Sequence, residues 1–172
     1  MTFNRRSTEG GTRIAEAEAE VRALLEYVRQ HAADYGLRAD RFGVWVCSAG
    51  PPTVIPLLLR ERPEYVRCVA VYYGLLDVPP DSAREYSAIH VLEELRDTNT
   101  LPPMLLIRAG RDRPQFNDSI DRFLQSALRR DVSVELFNHP EGEHAFDVRN
   151  DGPRTREAIA RTIDFFRWHL GH

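Results

Sequence analysis

The 172-residue chain is 42% hydrophobic and 28% charged, enough for one globular domain with a real core and too little for a second full domain. Its net charge of -3 and pI near 6.1 give no electrostatic case for binding nucleic acid or an anionic membrane surface. Every cation is arginine, since the sequence holds no lysine, which excludes Schiff-base chemistry and a phosphate loop ending in Gly-Lys.

No apolar run reaches membrane-spanning length, and residues 1–13 are polar, carrying Arg5 and Arg6 without the apolar core of a secretory signal. That stretch is expected to be flexible, and a cytoplasmic location is the default. From 14 to about 35, Val21, Leu24, Leu25, Val28 and Ala32 recur at helical spacing, with Glu and Arg on the other face. A turn at 37–41 then leads into the most informative stretch, Phe42-Gly43-Val44-Trp45-Val46-Cys47-Ser48-Ala49-Gly50.

Here a short apolar strand runs straight into a serine followed by small residues, the pattern of a nucleophile elbow. A sharp strand-to-helix turn lifts such a hydroxyl clear of the sheet and needs small neighbours where the backbone crowds. The usual spacing is G-x-S-x-G, and Val46 stands where the first glycine is expected. The competing reading makes Ser48 a strand-end serine that caps the next helix. Cys47 and Cys68 both lie in apolar strand-like runs and read as reduced packing residues.

An apolar segment at 53–59 should be helical, with Pro51 and Pro52 in its opening turn and a kink or restart at Pro56. A second strand covers 66–73, and Tyr72 and Tyr73 at its end read as packing residues. The polar, proline-bearing stretch 77–100 is a lid-like insertion with a short helix at 87–95. A third strand, 104–110, leads to Asp112, which is either the acid of a catalytic site or a turn former. Asp118 and Asp121 are the other candidate acids, but they fall in the next helix, marked by Phe116, Ile120, Phe123, Leu124, Ala127 and Leu128. A fourth strand at 132–137 is followed by two histidines, His139 and His144. Pro140 and Gly142 make that segment a loop without helical ligand spacing or an evident third ligand, so no metal site is expected. Asp151-Gly152-Pro153 opens a last helix with the stripe Ile159, Ile163, Phe166 and Leu170.

Four strands alternating with helices predict a single α/β domain over 1–172, a three-layer, doubly wound, mostly parallel sheet. The candidates come in the order Ser, Asp, His. That order, with the blocks Pro102-Pro103-Met104-Leu105-Leu106-Ile107-Arg108-Ala109-Gly110-Arg111-Asp112 and Gly142-Glu143-His144-Ala145-Phe146-Asp147, resembles the α/β-hydrolase superfamily, in its esterase and dienelactone-hydrolase-like branch. The resemblance runs from the first helix to the end of the chain. It implies a serine hydrolase of small carboxylic esters that needs no cofactor, with Ser48 as nucleophile, His144 as base, Asp112 as acid and the Ala49 N–H as an oxyanion donor.

Against the family pattern, the chain starts late: strands before the first helix, and the His-Gly-Gly type loop that supplies a second oxyanion donor, have no counterpart. Glu9-Gly10-Gly11-Thr12 carries glycines but no strand precedes it. The alternative is therefore a catalytically silent or fragmentary hydrolase-fold module that binds a ligand or a protein. The run Val44-Trp45-Val46-Cys47 suits a strand buried on both faces, yet without earlier strands it becomes an edge. Cover by residues 3–12 or pairing in a homodimer is the expectation.

Overall fold

Short apolar runs rich in Val, Leu and Ile become the strands of the protein's structure, a computed structural model that describes residues 11–78 and 84–171. The strands are β1 (Phe42–Cys47), β2 (Val66–Tyr72), β3 (Met104–Ala109) and β4 (Val134–His139). They form one sheet in the order β1-β2-β3-β4, every pair parallel. The register aligns Val46, Val71, Leu106 and Leu136 in one row and Cys47, Tyr72, Ile107 and Phe137 in the next.

Successive side chains of a strand point to opposite faces, and both faces of this sheet are packed. Val69, Val71, Met104 and Leu106 meet α1 (Gly11–Gln30), α2 (Pro51–Glu61), α3 (Ala88–Glu94) and α4 (Pro114–Arg129). Cys68, Ala70, Tyr72, Leu105 and Ile107 meet Phe146 of the short α5 (Phe146–Arg149) and Ala158 and Phe165 of α6 (Pro153–Leu170). The result is the expected three-layer α/β sheet flanked by helices. Every strand-to-strand crossover lies on the α2–α4 side, and α6 returns over the other.

Several local expectations change. The first helix stops at Gln30, and a 3-10 turn takes Ala32–Tyr35. Pro56 neither breaks nor restarts α2: the helix runs through it, because Ile55, Leu57, Leu58 and Leu59 bury at 0–1% exposure and their packing offsets one lost hydrogen bond. β4 begins at Val134 because the Val132 N–H is already bonded to the Ala127 carbonyl, closing the end of α4. In the stretch expected as lid-like, α3 is capped by Ser87, whose Oγ accepts from the His90 N–H at 3.2 Å. Its Ala88, Val91 and Leu92 bury in the same cluster as α2 and α4, so this segment contributes a helix to the core layer.

β1 takes the edge position expected of it, although its apolar run suits burial. Among the described residues it pairs only with β2, and only Val46 of its six residues is buried, Trp45 being 51% exposed. α6 covers the start of β1, where Phe166 lies against Gly43, but leaves Trp45 half exposed. Cys47 is accordingly exposed, not the packing residue expected, whereas Cys68 is buried and its thiol is pushed up to about 11 by that burial. The cover expected from residues 3–12 falls largely outside the described residues; Gly11 and Thr12 begin α1.

Candidate active site

All four strands run the same way, so the loops at their carboxyl ends gather at one edge of the sheet, where open α/β sheets place their sites. Ser48 follows β1 directly and adopts φ +57°, a left-handed conformation that costs a non-glycine residue about 1–3 kcal/mol. Hydrogen bonds on either side hold it there: its N–H donates to the Tyr72 carbonyl at 3.1 Å, and its carbonyl accepts from the Leu75 N–H at 2.8 Å. Gly50 completes the turn, since a Cβ there would sit 2.6 Å from Val46 Cγ2 and 2.9 Å from the Cys47 carbonyl oxygen. This explains the valine at the usual glycine position. Val46 points into the core beside α2, and Gly50 vacates the space its side chain takes.

Asp112 follows β3. Its side chain is fully buried, and Oδ1 accepts from the Arg113 N–H at 2.7 Å. His144 comes from the loop after β4, which is zipped onto the Asp112 loop: Gly110 N–H donates to the His139 carbonyl at 2.8 Å and Arg111 N–H to the Gly142 carbonyl at 2.9 Å. At Gly110 the two backbones touch so closely that a Cβ would lie 2.3 Å from the Pro140 oxygen. Phe146, 1% exposed, anchors the loop between the rings of Tyr72, Tyr73 and His139.

These elements bring Ser48, His144 and Asp112 into one chain of hydrogen bonds. The imidazole Nδ1 lies 2.6 Å from Asp112 Oδ2, and Nε2 lies 2.7 Å from Ser48 Oγ. A carboxylate only accepts, so Nδ1 carries the proton, and Nε2 is left to accept from the serine hydroxyl. Such a chain can draw a proton off Ser48 and return it to a leaving group.

The other candidates lie elsewhere. Asp118 is exposed on α4, and Asp121 pairs with Arg108 at 2.8 Å. His139 sits beneath the His144 loop, 5% exposed, with Nε2 3.4 Å from Thr155 Oγ1 and Nδ1 without a partner. Among the described residues no group of three or more His, Cys, Asp or Glu side chains could hold a metal ion, and no helix is long and apolar enough to cross a membrane. Tyr72 is the packing residue expected, its hydroxyl 2.7 Å from Thr162 Oγ1. Tyr73 was undervalued by its sequence context: its ring lies 4.8 Å from the His144 ring. The one signal for it was its place at a strand end on the edge where the candidate residues gather.

Residues 13–170 match the dienelactone hydrolase family. The chain belongs to that family. Solved structures similar to it include a C6-C4 SN3 inhibited esterase B from Lactobacillus rhamnosis, at TM-score 0.75 and 14% identity over 90% of this chain and 62% of that one. A thermophilic esterase from the Planctomycetes species Thermogutta terrifontis aligns at TM-score 0.72 and 16% identity, over 90% of this chain and 64% of its own. A bacterial heroin esterase aligns at TM-score 0.68 and 20% identity, over 92% and 59%. At such identities the likeness is one of fold, and this dienelactone hydrolase family member spans about 60% of the length of these structures. No curated protein matches the chain.

His139 gives the site a pH-dependent support. Burial, ahead of the nearby Arg154 charge, holds its pKa below the ordinary imidazole value, so the fold favours the neutral ring. A base depressed in this way contributes stability that is fully present above the unfolded pKa near 6.5 and is lost as pH falls through the folded value. Thermal melts should therefore show a drop between pH 7 and pH 5 that His139→Gln reduces. An equal drop in the variant would remove His139 from the account.

Proposed function

We propose that this chain is a serine hydrolase acting on small carboxylic esters. The observation that carries the reading is the unbroken hydrogen-bond chain from buried Asp112 through His144 to a serine held on a strained elbow. Ser48 Oγ attacks the ester carbonyl while its proton passes to His144 Nε2, and Asp112 stabilises the resulting imidazolium. The negative oxygen of the tetrahedral intermediate accepts from the Ala49 N–H. Collapse breaks the bond to the alcohol, which leaves with the proton from His144, and acyl-Ser48 remains. Water then enters by the same route: His144 takes its proton, the acid is released and Ser48 regains its hydrogen. No step needs a cofactor.

A fluorophosphonate probe tests the reading. It should label the chain once, at Ser48 by peptide mass spectrometry, and the label should vanish in His144→Ala. Labelling that persists in Ser48→Ala removes the nucleophile. No labelling of the wild type favours the silent, ligand-binding module.

Among the described residues β1 pairs with β2 alone, and this edge adds an assembly expectation. Ser48 N–H bonds toward β2, so by the alternation of a parallel strand the backbone groups of Gly43 and Trp45 face away from it. Such an edge beside a half-exposed Trp invites a second strand, and a homodimer paired through β1 satisfies both. Light scattering at micromolar concentration should give more than the monomer mass, and a monomer at every concentration would contradict the pairing.

A further inference from the structure

β1 and β4 are the two edges of the sheet, and neighbouring strands lie about 4.8 Å apart. The loop after β4 must therefore carry His144 across roughly 14 Å of sheet to reach Ser48. Asp112 fixes one nitrogen of the imidazole but not the tilt of the ring. The tilt depends on what lies against its faces, and two side chains do: Phe116 of α4, at 4.9 Å and 63°, and Tyr73, at 4.8 Å and 58°.

Tyr73 is the more informative of the two. It follows β2 at φ +36°, an unfavourable conformation for a bulky aromatic residue that surrounding contacts must offset. Its N–H donates to the Ile107 carbonyl at 2.8 Å, and its ring meets the edge of Phe146. Its hydroxyl donates to Asp147 Oδ1 at 2.6 Å, a short charge-assisted bond. Burial first, and then the Asp147 carboxylate, push the phenol above its usual range, so it remains a donor throughout the working pH range. The same phenol interacts with Cys47, the residue before Ser48. One side chain thus sits against the histidine-bearing loop and near the end of the serine-bearing strand, and Asp147 lies three residues beyond His144.

We infer that Tyr73 and Asp147 are positioning residues: their phenol–carboxylate bond ties the end of β2 to the segment after His144 and sets the imidazole at the angle that meets Ser48. The inference rests on His144 being the base of the reaction proposed above. Tyr73→Phe keeps the ring and removes the bond, Asp147→Ala removes the acceptor, and Asp147→Asn keeps an acceptor oxygen.

With p-nitrophenyl acetate as probe, Tyr73→Phe and Asp147→Ala should each lower kcat about 30-fold, with KM changed less than about twofold. Asp147→Asn should recover most of the loss, and the Tyr73→Phe, Asp147→Ala double variant should be no worse than either single one. An unchanged kcat in Tyr73→Phe, an effect confined to KM, or losses that multiply in the double variant would overturn the inference. If the wild type turns over no ester, the serine hydrolase reading fails and the positioning claim is read by proton NMR. The deshielded His144 Nδ1 proton should be observable in the wild type and broadened by exchange in Tyr73→Phe. An identical resonance in both would refute the positioning role.

Discussion

Ser48→Ala is expected to lower ester turnover by about 10⁵-fold or more while leaving the fold intact. The serine contributes a single hydroxyl at the strand end, and its backbone bonds to Tyr72 and Leu75 do not depend on the side chain. His144→Ala should cost about as much, and the double variant little more, because in the proposed mechanism nucleophile and base act as one unit. Asp112→Asn should cost about 10⁴-fold, through loss of the imidazole tautomer that its carboxylate selects. Equal rates in wild type and Ser48→Ala would end the mechanism. The strained elbow adds a second expected result: Ser48→Gly should be inactive yet more stable than Ser48→Ala by about 1 kcal/mol, because glycine adopts φ +57° without penalty. Denaturant melts of the two variants check it.

Gly110→Ala is expected to damage stability and activity together. Its new Cβ would lie 2.3 Å from the Pro140 carbonyl oxygen and 2.8 Å from the Pro140 Cα, backbone atoms that cannot swing aside. The chain must part the two loops there, at about 3 kcal/mol. The same separation pulls the Asp112 loop from the His144 loop, so kcat should fall well beyond what lost stability explains at temperatures where the variant is folded. A variant with unchanged denaturation midpoint and kcat would show that the loops are not locked together at this point.

The layered sheet was legible because its strands are short apolar runs bounded by turn residues, and its longer helices carry clear periodic stripes. The segments holding Ser48, Asp112 and His144 were legible because each follows such a strand. What remained hidden depends on contacts distant in sequence. The space Gly50 opens for Val46 cannot be seen from a motif that expects glycine at position 46. Tyr73 meets Asp147 only after the chain has traversed two more strands. The apolar run of β1 suits burial, and its exposure follows from its place at the edge of the sheet, which the count of strands, not the run itself, made legible. The four-residue α5 is too short to show any period.

The strictly sequential strand order also sets the timetable on which the site is assembled. Each crossover joins neighbouring strands, so the sheet can grow one unit at a time as the polypeptide leaves the ribosome. Ser48 emerges 96 residues ahead of His144, an interval of about 5–20 s at ordinary synthesis rates. Throughout that interval His144 is not yet beside the serine. Under the mechanism proposed above, a nascent or prematurely terminated chain carries an unactivated hydroxyl, and reactivity toward a serine-directed probe becomes a readout of translation having passed His144.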